Sequence, residues 1–238
     1  MNEHEFALYY PVLSKKLEEK LLHIAEKELV HRISRILRLN LKDSLIFFDK
    51  TKHAQVIITS IDKKEVVVEV TRVFDNESIQ PELVIQLGLL KREALENTIE
   101  ALTVFGVNKI QLFMSEKVSR KWGGQKEFER LERVMIAAAE QSKQFVLPQL
   151  EAPILFEKMI KQQHLKRAIF CDPSGNSLIP LICKDLEDLV VLIGPEGDLT
   201  LPEKEILCQQ GYDAYRLTKS ILRSELAATL VAGIIRTA

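Results

Sequence analysis

The sequence predicts an α/β chain in which a short β-rich segment precedes a mostly parallel sheet with helices on both faces. Two patterns predict it. Between Ser44 and Val73, short apolar runs are separated by polar turns too short to hold a helix. From Pro81 onward, apolar runs alternate with longer helical segments. A third observation sets the scale: 238 residues, 46% of them apolar, suffice for one large domain or two small ones with a filled core.

In the first part, the expected strands are Leu45 to Phe48, Gln55 to Thr59 and Glu65 to Val73, with Ile61-Asp62-Lys63-Lys64 as the clearest turn. Strands joined by such turns pair antiparallel, which predicts a small barrel or meander ending near Asp75-Asn76-Glu77-Ser78. In the second part, strands are expected at Leu83 to Leu90, Val107 to Met114, Ala168 to Cys171, Leu189 to Ile193 and Ala214 to Leu217. The intervening helices are expected at Arg92 to Phe105, Gln125 to Lys143, Ile154 to His164, Pro202 to Gln210 and Glu225 to Thr237. Strands buried on both faces read as continuous apolar runs, and ligands of such sheets bind beyond the carboxyl ends of the strands.

The charges nearly cancel, 33 Lys and Arg against 34 Asp and Glu, so only local clustering can speak for a nucleic-acid surface. Cys171, Cys183 and Cys208 are odd in number and lack metal-ligand spacing, which argues against a disulfide framework and a zinc site and fits a reducing cytosol. The opening MNEHEFALYY has no basic start followed by a long apolar stretch, and no run approaches the roughly 18 uncharged apolar residues that span a bilayer. A soluble, cytoplasmic chain with no membrane segment and no metal is expected.

Two segments carry chemistry. The run Leu189 to Ile193 enters a tight Gly194-Pro195-Glu196-Gly197-Asp198 loop, where glycines let a ligand approach backbone groups able to read an adenine edge. Thr200-Leu201-Pro202-Glu203 has the form of a helix capping box, which would pin the loop at its far end. The competing reading is a plain strand-to-helix turn. The second segment, Tyr215 to Glu225, again leads from strand through loop to helix. There Arg223 and Glu225 are either a salt-bridged helix start, or an arginine that holds a phosphate or uracil carbonyl beside a glutamate that orients it. No G-x-G-x-x-G or Walker A pattern occurs, and Leu87-Gly88-Leu89-Leu90 is not a glycine-rich first turn, so nicotinamide and nucleoside triphosphate sites lack support.

The pair IGPEGD and RLTKSILRSELAATLVAG, separated by one capped helix, resembles the carboxyl-terminal signature of the RsmE-type 16S rRNA uracil-N3 methyltransferases of the SPOUT superfamily. Lys91, Gly106-Val107, Ser115-Glu116-Lys117, Ala138 to Ser142 and Val146-Leu147-Pro148 match family positions in the same order, as does HRISRILRL, His31 to Leu39. The resemblance implies a PUA-like RNA-binding β-barrel over residues 1–74 and a trefoil-knotted methyltransferase domain over 75–238, working as a homodimer on 16S rRNA or the small ribosomal subunit.

It implies S-adenosyl-L-methionine as cofactor, held by Phe170, Gly194, Pro195, Glu196, Gly197, Leu217, Ile221, Leu222 and Arg223. The strand end from Phe170 to Pro173 should form the third wall. Arg223 and Glu225 are the catalytic candidates: Glu225 as the base for uracil N3, Arg223 as the partner of the carbonyls. RNA contacts are expected from Arg32, Arg35 and Arg38, then Lys117, Arg120, Lys121 and Trp122. Structural roles compete: a solvated helix face for Arg35 and Arg38, an apolar peg for Trp122, a structural histidine for His31. The chain departs from the family at Ala101, Val104, Gln144, Asp198, Thr218, Ser220 and Leu226, several of which remove charge or a polar contact. A catalytically silent RNA-binding homologue and an enzyme acting on another RNA are therefore the alternatives.

Overall fold

The computed structural model describes residues 5–161, 167–178 and 187–237. Cys183, and the part of the helix expected to reach His164 that lies beyond Lys161, fall outside the described residues. The chain divides into two units, Met1–Glu77 with Ala139–Val146, and Ser78–Ala138 with Leu147–Ala238.

The first unit holds strands β1 (Phe6–Tyr9), β2 (Leu21–Ile24), β3 (Ser44–Phe48), β4 (Lys52–Ile61) and β5 (Val66–Asp75), with helices α1 (Leu13–Lys16) and α2 (Lys27–His31). Its five-stranded sheet runs β1-β3-β4-β5-β2. β3, β4 and β5 form the expected antiparallel meander, while β1 and β2 were not expected; β1 pairs parallel with β3, and β2 antiparallel with β5. Alternate residues Ala54, Val56 and Ile58 of β4 and Val66 and Val68 of β5 point into the core with Leu22, Ile24, Ile33 and Phe47. Each such large side chain removed from water contributes roughly 1.5–3 kcal/mol before chain entropy is set against it.

The turn between β3 and β4 is held by Asp49, whose carboxylate accepts from the backbone of Ser14 (2.7 Å), Thr51 (2.8 Å) and Lys52 (2.9 Å). Burial pushes its carboxyl up, but these hydrogen bonds win and hold it lowered to about 2.

The second unit contains β6 (Leu83–Gly88), β7 (Lys109–Met114), β8 (Gln149–Leu155), β9 (Arg167–Ser177), β10 (Leu189–Ile193) and β11 (Tyr212–Arg216). They pair in parallel throughout, in the order β11-β9-β10-β6-β7-β8. Its helices are α3 (Arg92–Val104), α4 (Gln125–Ser142, whose end from Ala139 belongs to the first unit), α5 (Phe156–Ile160), α6 (Leu201–Gln209) and α7 (Ser224–Thr237). β10 shows why the parallel strands read as unbroken apolar runs. Leu189, Val191 and Ile193 enter one cluster with Leu95 and Ile99 of α3, Leu131 of α4 and Val231 of α7. Val190 and Leu192 enter another with Phe156 and Met159 of α5 and Leu207 of α6. The sheet is therefore covered on both faces, as an α/β domain requires.

Two elements differ from expectation. β8 carries Glu151 and Pro153 with no fully buried residue, so it shows no apolar run; it is an edge strand, where a proline costs no ladder bond on the open side. Consequently Ile154 and Leu155, expected in a helix, end β8, and α5 begins only at Phe156.

Candidate functional site

The middle of β9 and the carboxyl ends of β10 and β11 open onto a cleft of about 800 Å³ in the second unit. Small-molecule sites generally enclose about 300–1,000 Å³. One wall is the start of α3, from Leu90 to Asn97. A second is the loop after β10, a third is Cys171 to Pro173 in β9, and the fourth is the segment from Tyr215 to Glu225.

The loop after β10 sits where it does because Gly88, at the end of β6, lacks a side chain. A Cβ there would lie 2.5 Å from Pro195 N and 2.9 Å from the Gly194 carbonyl carbon, so only glycine lets the two strand ends meet. Glu196 then accepts a 2.8 Å hydrogen bond from the Lys91 backbone, tying the loop to α3. At the far end the capping box forms as the pattern of Thr200 and Glu203 predicts. Glu203 N donates to Thr200 Oγ1 (3.3 Å) and Thr200 N to Glu203 Oε2 (2.7 Å). Glu203 is buried, and its other oxygen accepts from Glu116 N at 3.0 Å.

Most of the expected cofactor residues gather on the cleft: Gly194, Pro195, Glu196, Leu217, Ile221, Leu222 and Arg223 all line it, as does Glu225. Two do not. Phe170 is 2% exposed and packs in the cluster on the other side of the sheet, because alternate residues of a strand face opposite ways; its neighbour Cys171 lines the cleft instead. Gly197 turns away from the cleft, with the Lys117 carbonyl oxygen 2.9 Å from where its Cβ would be. Burial pushes the Cys171 thiol up to about 12, so it is a packing group in this wall and no nucleophile at neutral pH. The side chains of Arg223 and Glu225 make no ion pair with each other, nor with any other described residue, so the salt-bridged helix start is not what forms.

Glu93, Asp172, Glu196, Asp198 and Glu225 line the cleft against the cations Lys91, Arg216 and Arg223; with Lys204 pairing Asp172 and Asp198 from behind, a small excess of acid remains, compatible with a ligand that carries positive charge. Glu93 and Asn97 had not been expected there, whereas Asp172 falls in the Phe170 to Pro173 strand end expected as a wall. Glu93 and Asn97 share a helix face at a spacing of four, but nothing local shows which face opens onto a site.

The basic residues divide. Arg32 is taken up by Glu140, with bonds of 3.0 Å and 2.5 Å inside the first unit, and this pairing holds its guanidinium pKa above the usual value. Arg35, Arg38 and His31 are exposed. Arg120 is likewise occupied, donating to Leu90 O (2.5 Å) and Glu127 (3.0 Å), and Trp122 packs partly buried against the core. Lys117 and Lys121 are exposed, although Lys117 Nζ reaches Leu199 O at 3.4 Å. Arg32 and Arg120 thus have structural work that the motif pattern did not reveal, while Trp122 packs as the competing apolar reading has it. Among the described residues no helix is long and apolar enough to cross a membrane, and no three His, Cys, Asp or Glu side chains are grouped as metal ligands.

Known proteins are similar to this chain. The ribosomal RNA small subunit methyltransferase E of Mesomycoplasma hyopneumoniae is 28% identical over 177 residues, covering 72% of this chain and 75% of that one. The enzyme of the same description from Rickettsia conorii is 25% identical over 94% of this chain and 92% of its own. The crystal structure of the Neisseria gonorrhoeae ribosomal RNA small subunit methyltransferase E bound to S-adenosyl methionine has the same fold. It superposes with a TM-score of 0.84 at 22% identity, over 98% of each chain. The RNA methyltransferase domain family matches residues 77–236, which span the whole parallel sheet, the cleft and both signature segments, and the chain belongs to that family.

Proposed function

We propose that this chain is an S-adenosylmethionine-dependent methyltransferase of small-subunit ribosomal RNA that methylates N3 of a uridine in 16S rRNA. The observation that carries the reading is the cleft itself. Both signature segments, Gly194 to Asp198 and Leu217 to Glu225, meet there at the carboxyl edge of a parallel sheet, in a chain of the RNA methyltransferase family. The residues fit the cofactor: a lining with a small excess of acid for a cationic ligand, apolar walls from Leu90, Ile193, Leu217 and Leu222, and the Gly194-Pro195-Glu196 turn on the cleft.

Gly194, Pro195 and Glu196 would hold it with Leu217, Ile221 and Leu222. When bound, the cofactor supplies an already electrophilic methyl carbon, so no metal and no covalent nucleophile are needed. The protein's part is to orient the uracil and remove its N3 proton. Glu225 takes that proton, a contribution of roughly a hundred- to ten-thousandfold for a positioned base. Arg223 faces the charge that develops on the uracil carbonyls. The target base must first leave its stack, at a cost of a few kcal/mol; Arg35 and Arg38 of the first unit, and Lys117 and Lys121 of the second, are exposed cations that can each hold an RNA phosphate.

The same reading includes a trefoil-knotted crossing around the cleft, a PUA-like barrel in the first unit, a homodimer and a cytoplasmic site of action. The strand order β11-β9-β10-β6-β7-β8 and the β-rich first unit support the first two. Calorimetric titration with S-adenosylmethionine and S-adenosylhomocysteine tests the reading. Saturable binding to the unaltered chain, lost in both Gly194→Trp and Leu222→Arg, supports it. No binding to the unaltered chain removes the methyltransferase reading in favour of RNA binding without turnover.

A further inference from the structure

Lys204 joins two walls of the cleft from behind. Its ammonium lies 2.8 Å from Asp172 Oδ2 and 2.7 Å from Asp198 Oδ2. Asp172 belongs to β9 and Asp198 to the loop after β10; both line the cleft, and Lys204 does not. Each carboxylate divides its oxygens in the same way. Asp172 Oδ1 accepts from its own turn, Ser174 N at 2.7 Å and Ser174 Oγ at 2.6 Å, while Oδ2 meets Lys204. Asp198 Oδ1 accepts from Leu199 N at 2.8 Å, while Oδ2 meets Lys204. One oxygen fixes the local backbone, and the other ties that backbone to a shared cation.

Asp198 stands at a φ of 62°, a left-handed conformation that favours glycine and admits aspartate when its side chain bonds locally. In the sequence it reads as a loss from the glycine-rich loop; in the structure it is one arm of a clamp. Lys204 is itself well anchored, because it follows the capping-box Glu203 in the first turns of α6 and its amide donates to Thr200 O at 3.0 Å. The Asp172 side chain is only 6% exposed and that of Lys204 21%, so solvent screens this pair weakly.

We infer that Asp172, Lys204 and Asp198 form a positioning triad that holds the β9 wall and the β10 loop at a set separation and thereby tunes affinity for the ligand of the cleft. The identity of that ligand rests on the methyltransferase reading above. None of the three need touch the reacting atoms. Lys204 acts through the two aspartates, and the aspartates act through the backbone they hold.

The test uses the full chain with Lys204→Met, Asp172→Asn, their combination, and Lys204→Arg. Titration with S-adenosylmethionine should show Kd raised about tenfold in each of the first two, an ordinary strength for coupling between linked sites. The combined variant should be no weaker than either single one, since residues of one network do not add. Lys204→Arg should recover most of the affinity, and thermal melts identify any variant that fails to fold. Amide hydrogen exchange on the ligand-free protein supplies the second readout: Lys204→Met should speed exchange at both 172–175 and 195–199. A folded Lys204→Met with Kd within twofold of the unaltered chain overturns the inference, as do losses that multiply in the combined variant. If the unaltered chain binds no S-adenosylmethionine, the functional reading falls, and exchange decides the triad alone: faster exchange in both segments supports it, and in one or neither overturns it.

Discussion

Replacing Gly88, which does not itself line the cleft, with alanine should damage the cleft. The added Cβ would stand 2.5 Å from Pro195 N, 2.7 Å from Pro195 Cδ and 2.9 Å from the Gly194 carbonyl carbon. All three belong to backbone or a proline ring, so no side chain can swing aside. An ordinary contact begins near 3.4 Å, which requires the strand end and the loop to separate by roughly 1 Å. β6 cannot supply that movement, because β10 and β7 hold it on either side. The loop must therefore shift, carrying Gly194 and Glu196 with it.

Overpacking of this kind costs about 1–3 kcal/mol, which for a chain of this size lowers Tm by roughly 2–12 °C. A displacement of about 1 Å in a binding wall can cost on the order of a hundredfold in function. Calorimetry with S-adenosylmethionine and a thermal melt measure the two effects. An alanine variant that binds within twofold of the unaltered chain and melts within a degree of it would refute the reasoning, because it would show that the strand end and the loop do not need their close approach.

Asp49→Asn should destabilise the first unit in a pH-dependent way. The folded carboxyl is lowered to about 2 from an ordinary 3.8, so its contribution, about 2 kcal/mol, is fully present above pH 4 to 5 and fades as pH falls toward 2. Urea melts at pH 6 and pH 3 should show the gap between variant and unaltered chain narrowing at the lower pH. Arg32→Ala should lower stability by about 1.5–3 kcal/mol by stranding Glu140. Arg35→Ala and Arg38→Ala should leave the melt unchanged, yet weaken binding to a 16S rRNA fragment and each flatten its salt dependence by about one phosphate contact. Glu225→Gln should reduce methyl transfer about a hundredfold or more while cofactor Kd stays within threefold; unchanged single-turnover rates would remove Glu225 as the base.

What the residues announced was in each case held by near neighbours. β10 is legible because five consecutive apolar residues leave no polar face, and the α6 capping box because Thr200 and Glu203 are three residues apart. The family motifs marked two loops that the structure places on the cleft. β8 was hidden because an edge strand need not bury a continuous apolar run, and the occupation of Arg32 because its partner is 108 residues away. Phe170 was misplaced because a motif fixes a residue's position along the strand, whereas the pleat decides which face it serves.

By itself, then, the sequence determined the strand and helix alternation and the capped loop, and its motifs pointed to the family, since these follow from periodicity, local hydrogen bonds and motif order. Only the tertiary structure decided that Gly88 must yield to Pro195, that Glu196 ties down α3, and that Asp198 meets Asp172 through Lys204. The physical reason is the strand order, β11-β9-β10-β6-β7-β8. Parallel neighbours are joined by long crossovers, so groups that touch at the carboxyl edge lie far apart along the chain, and no local pattern records which of them will meet.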